Sequence, residues 1–215
     1  MTRMTNLRRT RIAWFAACGF AAAAPVPLAC SAGPWVTVAV FGLLVGGTQA
    51  LAITGGRSRR ILWAVFTTLG SWAAFPFGLI GGVAALFAVA AILSLLPGGA
   101  DALRGSQLLL VGAPFGGLVG GTIVGAFQAG LVREPATWIA RSALGGIIVL
   151  PTALAAMYGS TAGPCADQPT ALITAAAIAS GVIYAWLTLD GATTRALSKD
   201  DGPQSSNELG HKLES

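Results

Sequence analysis

The chain reads GLLVGGTQALAITGGRSRRILWAVFTTLGSWAAFP at residues 42–76 and GTIVGAFQAGLVREPATWIARSALGGIIVLP at residues 121–151. One skeleton underlies both stretches. The first runs Gly42-x3-Gly46-x2-Gln49, then Trp63-x3-Thr67-x-Leu69-Gly70-x5-Pro76. The second runs Gly121-x3-Gly125-x2-Gln128, then Trp138-x3-Ser142-x-Leu144-Gly145-x5-Pro151. Only the connecting loop differs in length. Glycine, amide, indole, hydroxyl and proline recur in register, which reads as a duplicated helical hairpin.

Working outward, 54% of the residues are apolar and only 10% are charged, so the chain has the composition of a membrane protein. Several apolar runs approach or exceed the roughly 20 residues that a spanning helix needs. Almost the whole length is then membrane domain, with no room for a soluble catalytic domain. The formal net charge of +5 comes from loop and terminal arginines and fits positive-inside orientation better than nucleic-acid binding.

The expected organisation is all-α and polytopic. A basic cytoplasmic N-terminus covers residues 1–11, a helical membrane domain 12–189, and a polar, disordered tail 190–215. The start imitates a signal peptide, with Arg3, Arg8, Arg9 and Arg11 before an apolar run, but with further spans following it reads as an uncleaved first helix. That span covers about 12–28 and bends near Pro25 and Pro27. Others follow at about 35–53, 108–132, 136–158 and 171–189, with repeat 1 at about 35–83 and repeat 2 at about 108–158.

The apolar run from Ile61 to Leu96 decides the topology. Its length of about 36 residues, roughly 54 Å as helix, exceeds one crossing. A single passage gives six spans with both repeats pointing the same way. Folding back near Phe75-Pro76-Phe77-Gly78 gives seven spans and inverted repeats. Length favours seven. Charge favours six, because six spans keep the N-terminal arginines, Arg57, Arg59, Arg60, Arg133 and the tail in the cytoplasm. Six is the expectation, with residues beyond about Val83 as an outer extension.

Gly42, Gly46, Gly121 and Gly125 have small-x3-small spacing, which makes a flat groove where helix backbones touch in lipid. Gln49 and Gln128 lie one turn further, and an amide in hydrocarbon must find partners, so both face the bundle interior. Either they are satisfied packing amides or they line a solute pathway. Trp63 and Trp138 open the returning helices and read as interfacial anchors. Pro76 and Pro151 are expected to kink those helices. Arg141 is the one charge well inside a span, with a stem able to reach the interface. Cys30 and Cys165 both fall on the outer side in the six-span reading and form a candidate disulfide.

Absences narrow the function. No expected span contains Asp or Glu, against a cation-coupled pump, and the one histidine, His211, is in the tail. A Ser–His protease, a His-ligated metal and a phosphate loop all lack their residues, so neither an enzyme nor a cofactor is expected. The repeated pattern resembles a group of uncharacterised bacterial multi-spanning membrane proteins, in which a Gly-rich helix ending in Gln is followed by an arginine-rich loop and a helix opening on tryptophan. The resemblance covers about Gly42–Pro76 and Gly121–Pro151 and departs at Ala50 and Ala129, where that group often has an aromatic residue. It implies an integral membrane fold and no known activity. The expected function is a non-enzymatic scaffold or accessory subunit in the bacterial cytoplasmic membrane. Its partners would be the lipid bilayer and either further copies of itself or a larger complex, with no nucleic acid. The alternative is a small transporter or channel for a neutral solute, with its pathway between the repeats.

Overall fold

The structure, a computed structural model, describes residues 2–24, 34–53, 56–96, 106–158 and 170–189. Among these there are six α-helices and no strand: α1 (Thr2–Ala23), α2 (Pro34–Ala52), α3 (Arg57–Ser94), α4 (Ser106–Ala129), α5 (Pro135–Tyr158) and α6 (Thr170–Thr188). Four of them, α2, α3, α4 and α6, are long and apolar enough to cross a membrane. The other two are of similar length and carry arginines in their first halves: Arg3, Arg8, Arg9 and Arg11 in α1, and Arg141 in α5. The basic N-terminal segment and the first expected span are thus one helix. It begins ten residues earlier than the apolar run, because nothing in Thr2–Arg11 breaks a helix.

The helix ends follow local chemistry. Gly56 stands in extended conformation (φ −61°, ψ 159°) ahead of α3, and its carbonyl accepts the Arg60 N–H at 3.3 Å. At the other end the Leu95 and Leu96 N–H groups turn back on Ile92 and Leu93 at 3.2 and 2.9 Å, tightening the last turn before Pro97. Helix α5 opens on Pro135, a position where the missing N–H costs nothing.

Helix α3 runs unbroken for 38 residues, about 57 Å. Pro76 sits inside it without ending it, so the chain does not fold back at residues 75–78, as the seven-span alternative required. Prolines 114 and 151 are likewise internal to α4 and α5. Membrane-spanning helices tolerate internal proline, because neighbouring helices, hydroxyl side chains and small local adjustments re-satisfy the freed backbone groups.

Each helix packs on its predecessor, and α6 packs back on α1, so the six form a closed ring. Glycines make the seams. Gly78 and Gly82 of α3 face Gly116 and Gly112 of α4, and a Cβ at these positions would lie 2.7–3.1 Å from the opposing carbonyl oxygens. Gly117 and Gly146 oppose each other across α4 and α5, where Gly121 also lies against the Ser142 carbonyl. Gly181 of α6 lies against the Cys18 carbonyl of α1. The expected grooves are therefore filled from within the same chain. A Cβ on Gly46 would meet the Ala64 carbonyl oxygen at 2.5 Å, one on Gly42 the Trp72 indole nitrogen at 2.8 Å, and one on Gly125 the Ile139 Cα at 2.9 Å. Gly46→Leu and Gly125→Leu are each expected to lower the thermal midpoint in detergent far more than Leu43→Ala, whose side chain is exposed. Unchanged midpoints for both glycine variants would remove the seam from the account.

Candidate functional site

The large buried side chains gather at one end of the ring, where α2 turns into α3, α4 turns into α5, and α6 ends beside α1. Trp14, Trp63, Trp138, Gln49, Gln128, Thr67, Thr188 and Ser142 are all essentially inaccessible there. For the two glutamines and two of the tryptophans the helix positions follow from the shared spacing of residues 42–76 and 121–151. Each glutamine stands in the last turn of its helix, and each indole soon after the next helix begins, so an antiparallel hairpin puts the two side by side.

The indole N–H of Trp63 donates to Gln49 Oε1 at 3.3 Å, and that of Trp138 donates to Gln128 Oε1 at 2.9 Å. The amide nitrogen of Gln128 reaches into the neighbouring hairpin, donating to Thr67 Oγ1 at 2.7 Å and to Gln49 Oε1 at 3.4 Å. Gln49 Nε2 in turn points to Cys18 Sγ on α1 at 3.5 Å. A third indole completes the set: Trp14 donates to Thr188 Oγ1 at 3.2 Å. The three rings pack edge to face in a triangle, with centroids 5.6, 5.9 and 6.1 Å apart and interplanar angles of 69–76°. Edge-to-face pairs of this kind each contribute about 0.5–1.5 kcal/mol beyond their buried area.

Trp63 and Trp138 are therefore not interfacial anchors. They are 0% and 2% exposed, with their N–H groups spent on amides inside the bundle. A tryptophan beside a basic loop has the same sequence signature whether it faces headgroups or a neighbouring helix. Here three indoles arrive at one depth and cover each other. Gln49 and Gln128 face the interior and bond to each other. Arg141 is half-buried on α5, one turn past Trp138, and Ser142 next to it accepts the Tyr184 hydroxyl at 3.4 Å. The candidate disulfide pair, Cys30 and Cys165, lies outside the described residues.

Trp14, Cys18, Tyr184 and Thr188 escaped the sequence reading, yet a signal for them exists. Gly181-x3-Ala185-x2-Thr188 has the spacing of Gly42-x3-Gly46-x2-Gln49, and Trp14-x3-Cys18-x2-Ala21-x5-Pro27 has that of Trp63-x3-Thr67-x2-Gly70-x5-Pro76. These two spacings stand in α6 and α1, in the reverse of the order they have in residues 42–76, with Thr188 at the position matching Gln49. Threonine is too short to do both of the amide's jobs. Thr188 accepts from its own tryptophan, while Tyr184, one turn earlier, reaches across to the hydroxyl of the next hairpin.

Chemically the site consists of amides, indoles, hydroxyls and one buried thiol. Among the described residues no three His, Cys, Asp or Glu come together as a metal site would require. No family model, curated protein or solved structure matches this chain.

Proposed function

We propose that the chain is a non-enzymatic integral membrane protein of six crossings, built from three copies of one helical hairpin, the third assembled from α6 and α1. It acts as a scaffold or accessory subunit of a membrane assembly. The observation that carries this reading is the use of the glutamine amides. Gln128 spends both amide hydrogens and its oxygen on protein groups, and the Gln49 oxygen takes two donors. Side chains poised for a passing solute would keep donors and acceptors turned toward a pathway, whereas these are turned toward indoles and hydroxyls and hold helices in register. The filled glycine seams mean that a partner docks elsewhere, and the exposed apolar second half of α3, including Ile80, Val83, Phe87 and Ile92, is the surface offered to lipid and partner.

Orientation follows from charge. The arginines of α1, of the α2–α3 turn and of the α4–α5 turn share one end of the ring, and the positive-inside rule puts that end, with both termini, in the cytoplasm of a bacterial cell. Liposomes carrying the purified protein are expected to be no more permeable to glycerol- or urea-sized solutes than protein-free liposomes. A saturable, protein-dependent flux would overturn the scaffold reading in favour of the transporter.

A further inference from the structure

The described arginines, Arg141 apart, crowd one end of the ring and recur at fixed offsets from the tryptophan triangle. Arg8 and Arg11 stand six and three residues ahead of Trp14, as Arg57 and Arg60 stand ahead of Trp63. Arg133 precedes Trp138 by five, as Arg9 precedes Trp14. At 1.5 Å per residue the arginines of α1 and α3 leave their helices about 4.5–9 Å beyond the buried indoles, and Arg133 stands in the turn just ahead of α5. Because the indoles touch, the arginines form a collar around the ring axis. Two further contacts tie the collar to the hairpin turns: Arg59 Nη2 donates to the Leu131 carbonyl at 3.1 Å, and Arg60 Nε to the Ile53 carbonyl at 3.1 Å. The side chains of Arg8, Arg9, Arg11, Arg57 and Arg133 are exposed. Glu134 is the only carboxylate among the described residues.

We infer that this collar is a binding surface for anionic phospholipid headgroups, an inference that rests on the membrane-spanning reading. Depth selects lipid over other polyanions. Exposed Leu51, Ile61 and Leu62 lie immediately inward of the arginines, so the boundary between apolar and charged surface falls at the level of the collar. A chain crossing a bilayer there presents its guanidinium groups to phosphates, and guanidinium pairs with phosphate bidentately. Clusters of four to eight such cations next to a spanning helix are the usual basis of anionic-lipid retention.

The test uses the full chain in mild detergent with phosphatidylglycerol and phosphatidylcholine of matched acyl chains, reading bound lipid by native mass spectrometry. The wild type is expected to retain phosphatidylglycerol more than about tenfold over phosphatidylcholine, and R8Q/R9Q/R57Q/R133Q to lose that preference. The preference is also expected to collapse at roughly 0.5 M salt, where screening is short-ranged. These four side chains are exposed, so the variant is expected to keep the wild-type unfolding midpoint. If it does not, the salt dependence of the wild type decides alone. Equal retention of the two lipids, a preference unchanged in the variant or by salt, or displacement of the lipid by a short RNA or by inorganic phosphate would overturn the inference. Release of the wild type from membranes by alkaline extraction would instead sink the spanning reading beneath it.

Discussion

Trp14→Ala is expected to destabilise the bundle by about 3–5 kcal/mol, the range for emptying a packed tryptophan site, and to release α1 from its neighbours. The indole is fully buried, makes two of the three sides of the aromatic triangle, and donates to Thr188. Among the described residues of α1, Trp14 is the one large side chain that is fully buried; Ala17, Cys18 and Ala21 are small, and Phe15 is only partly buried beside them. Thermal unfolding in detergent gives the size of the effect. Limited trypsin digestion at Arg8, Arg9 and Arg11 reports the release, because these sites should become cleavable while the other five helices stay resistant. Trp35→Ala is the control: Trp35 packs edge to face on Phe75 but is 68% exposed, so it is expected to cost less than about 1 kcal/mol. Equal effects of the two substitutions would mean that the triangle does not hold the bundle.

Gln128→Leu is expected to cost about 2–3 kcal/mol, because it orphans the buried Trp138 N–H and takes away the donor to Thr67. Gln49→Leu should cost less, since its bonds to Trp63 and Cys18 are longer and one of them is to sulfur. The informative experiment is the double variant. Trp138→Phe removes the N–H that Gln128→Leu leaves unpaired, and removing both partners of a buried bond costs much less than removing one. The double variant is expected to be more stable than the sum of the single losses predicts, by about 1 kcal/mol or more. Strict additivity would show that the indole–amide contact carries no coupling energy.

Much of the architecture could be read from the residues, for definite reasons. Apolar length bounded by arginine or proline located α2, α4, α5 and α6 to within a few residues, and spacing tied glycine and glutamine to one interior face. The helical continuity of residues 57–94 could not be read from length, which argued for a reversal, because whether an internal proline ends a helix or only interrupts one bond depends on neighbouring helices that the sequence does not reveal. The triangle escaped for a different reason. Trp63 and Trp138 were visible, but their burial depends on Trp14 of α1, whose indole donates to Thr188 of α6, 174 residues further along the chain. Neither α1 nor α6 carries a glutamine to mark that pairing, and Thr188 and Tyr184 make the corresponding contacts instead.

The scaffold reading requires a closed polar centre: the amides of Gln49 and Gln128 are bonded to protein groups, and a scaffold needs no solute path to reach them. Cys18 reports on this directly, since it is 5% exposed and its sulfur faces the Gln49 amide. With Cys30 and Cys165 replaced by serine, Cys18 is the only thiol in the chain. The decisive measurement is its reaction with a small, charged, water-soluble methanethiosulfonate reagent, added from either side of a sealed vesicle. A closed core leaves the folded protein unmodified from either side and fully modified after denaturation. Modification of the folded protein at the rate of an exposed thiol would show that water reaches Gln49, contradict the closed core, and return the glutamines to a solute pathway.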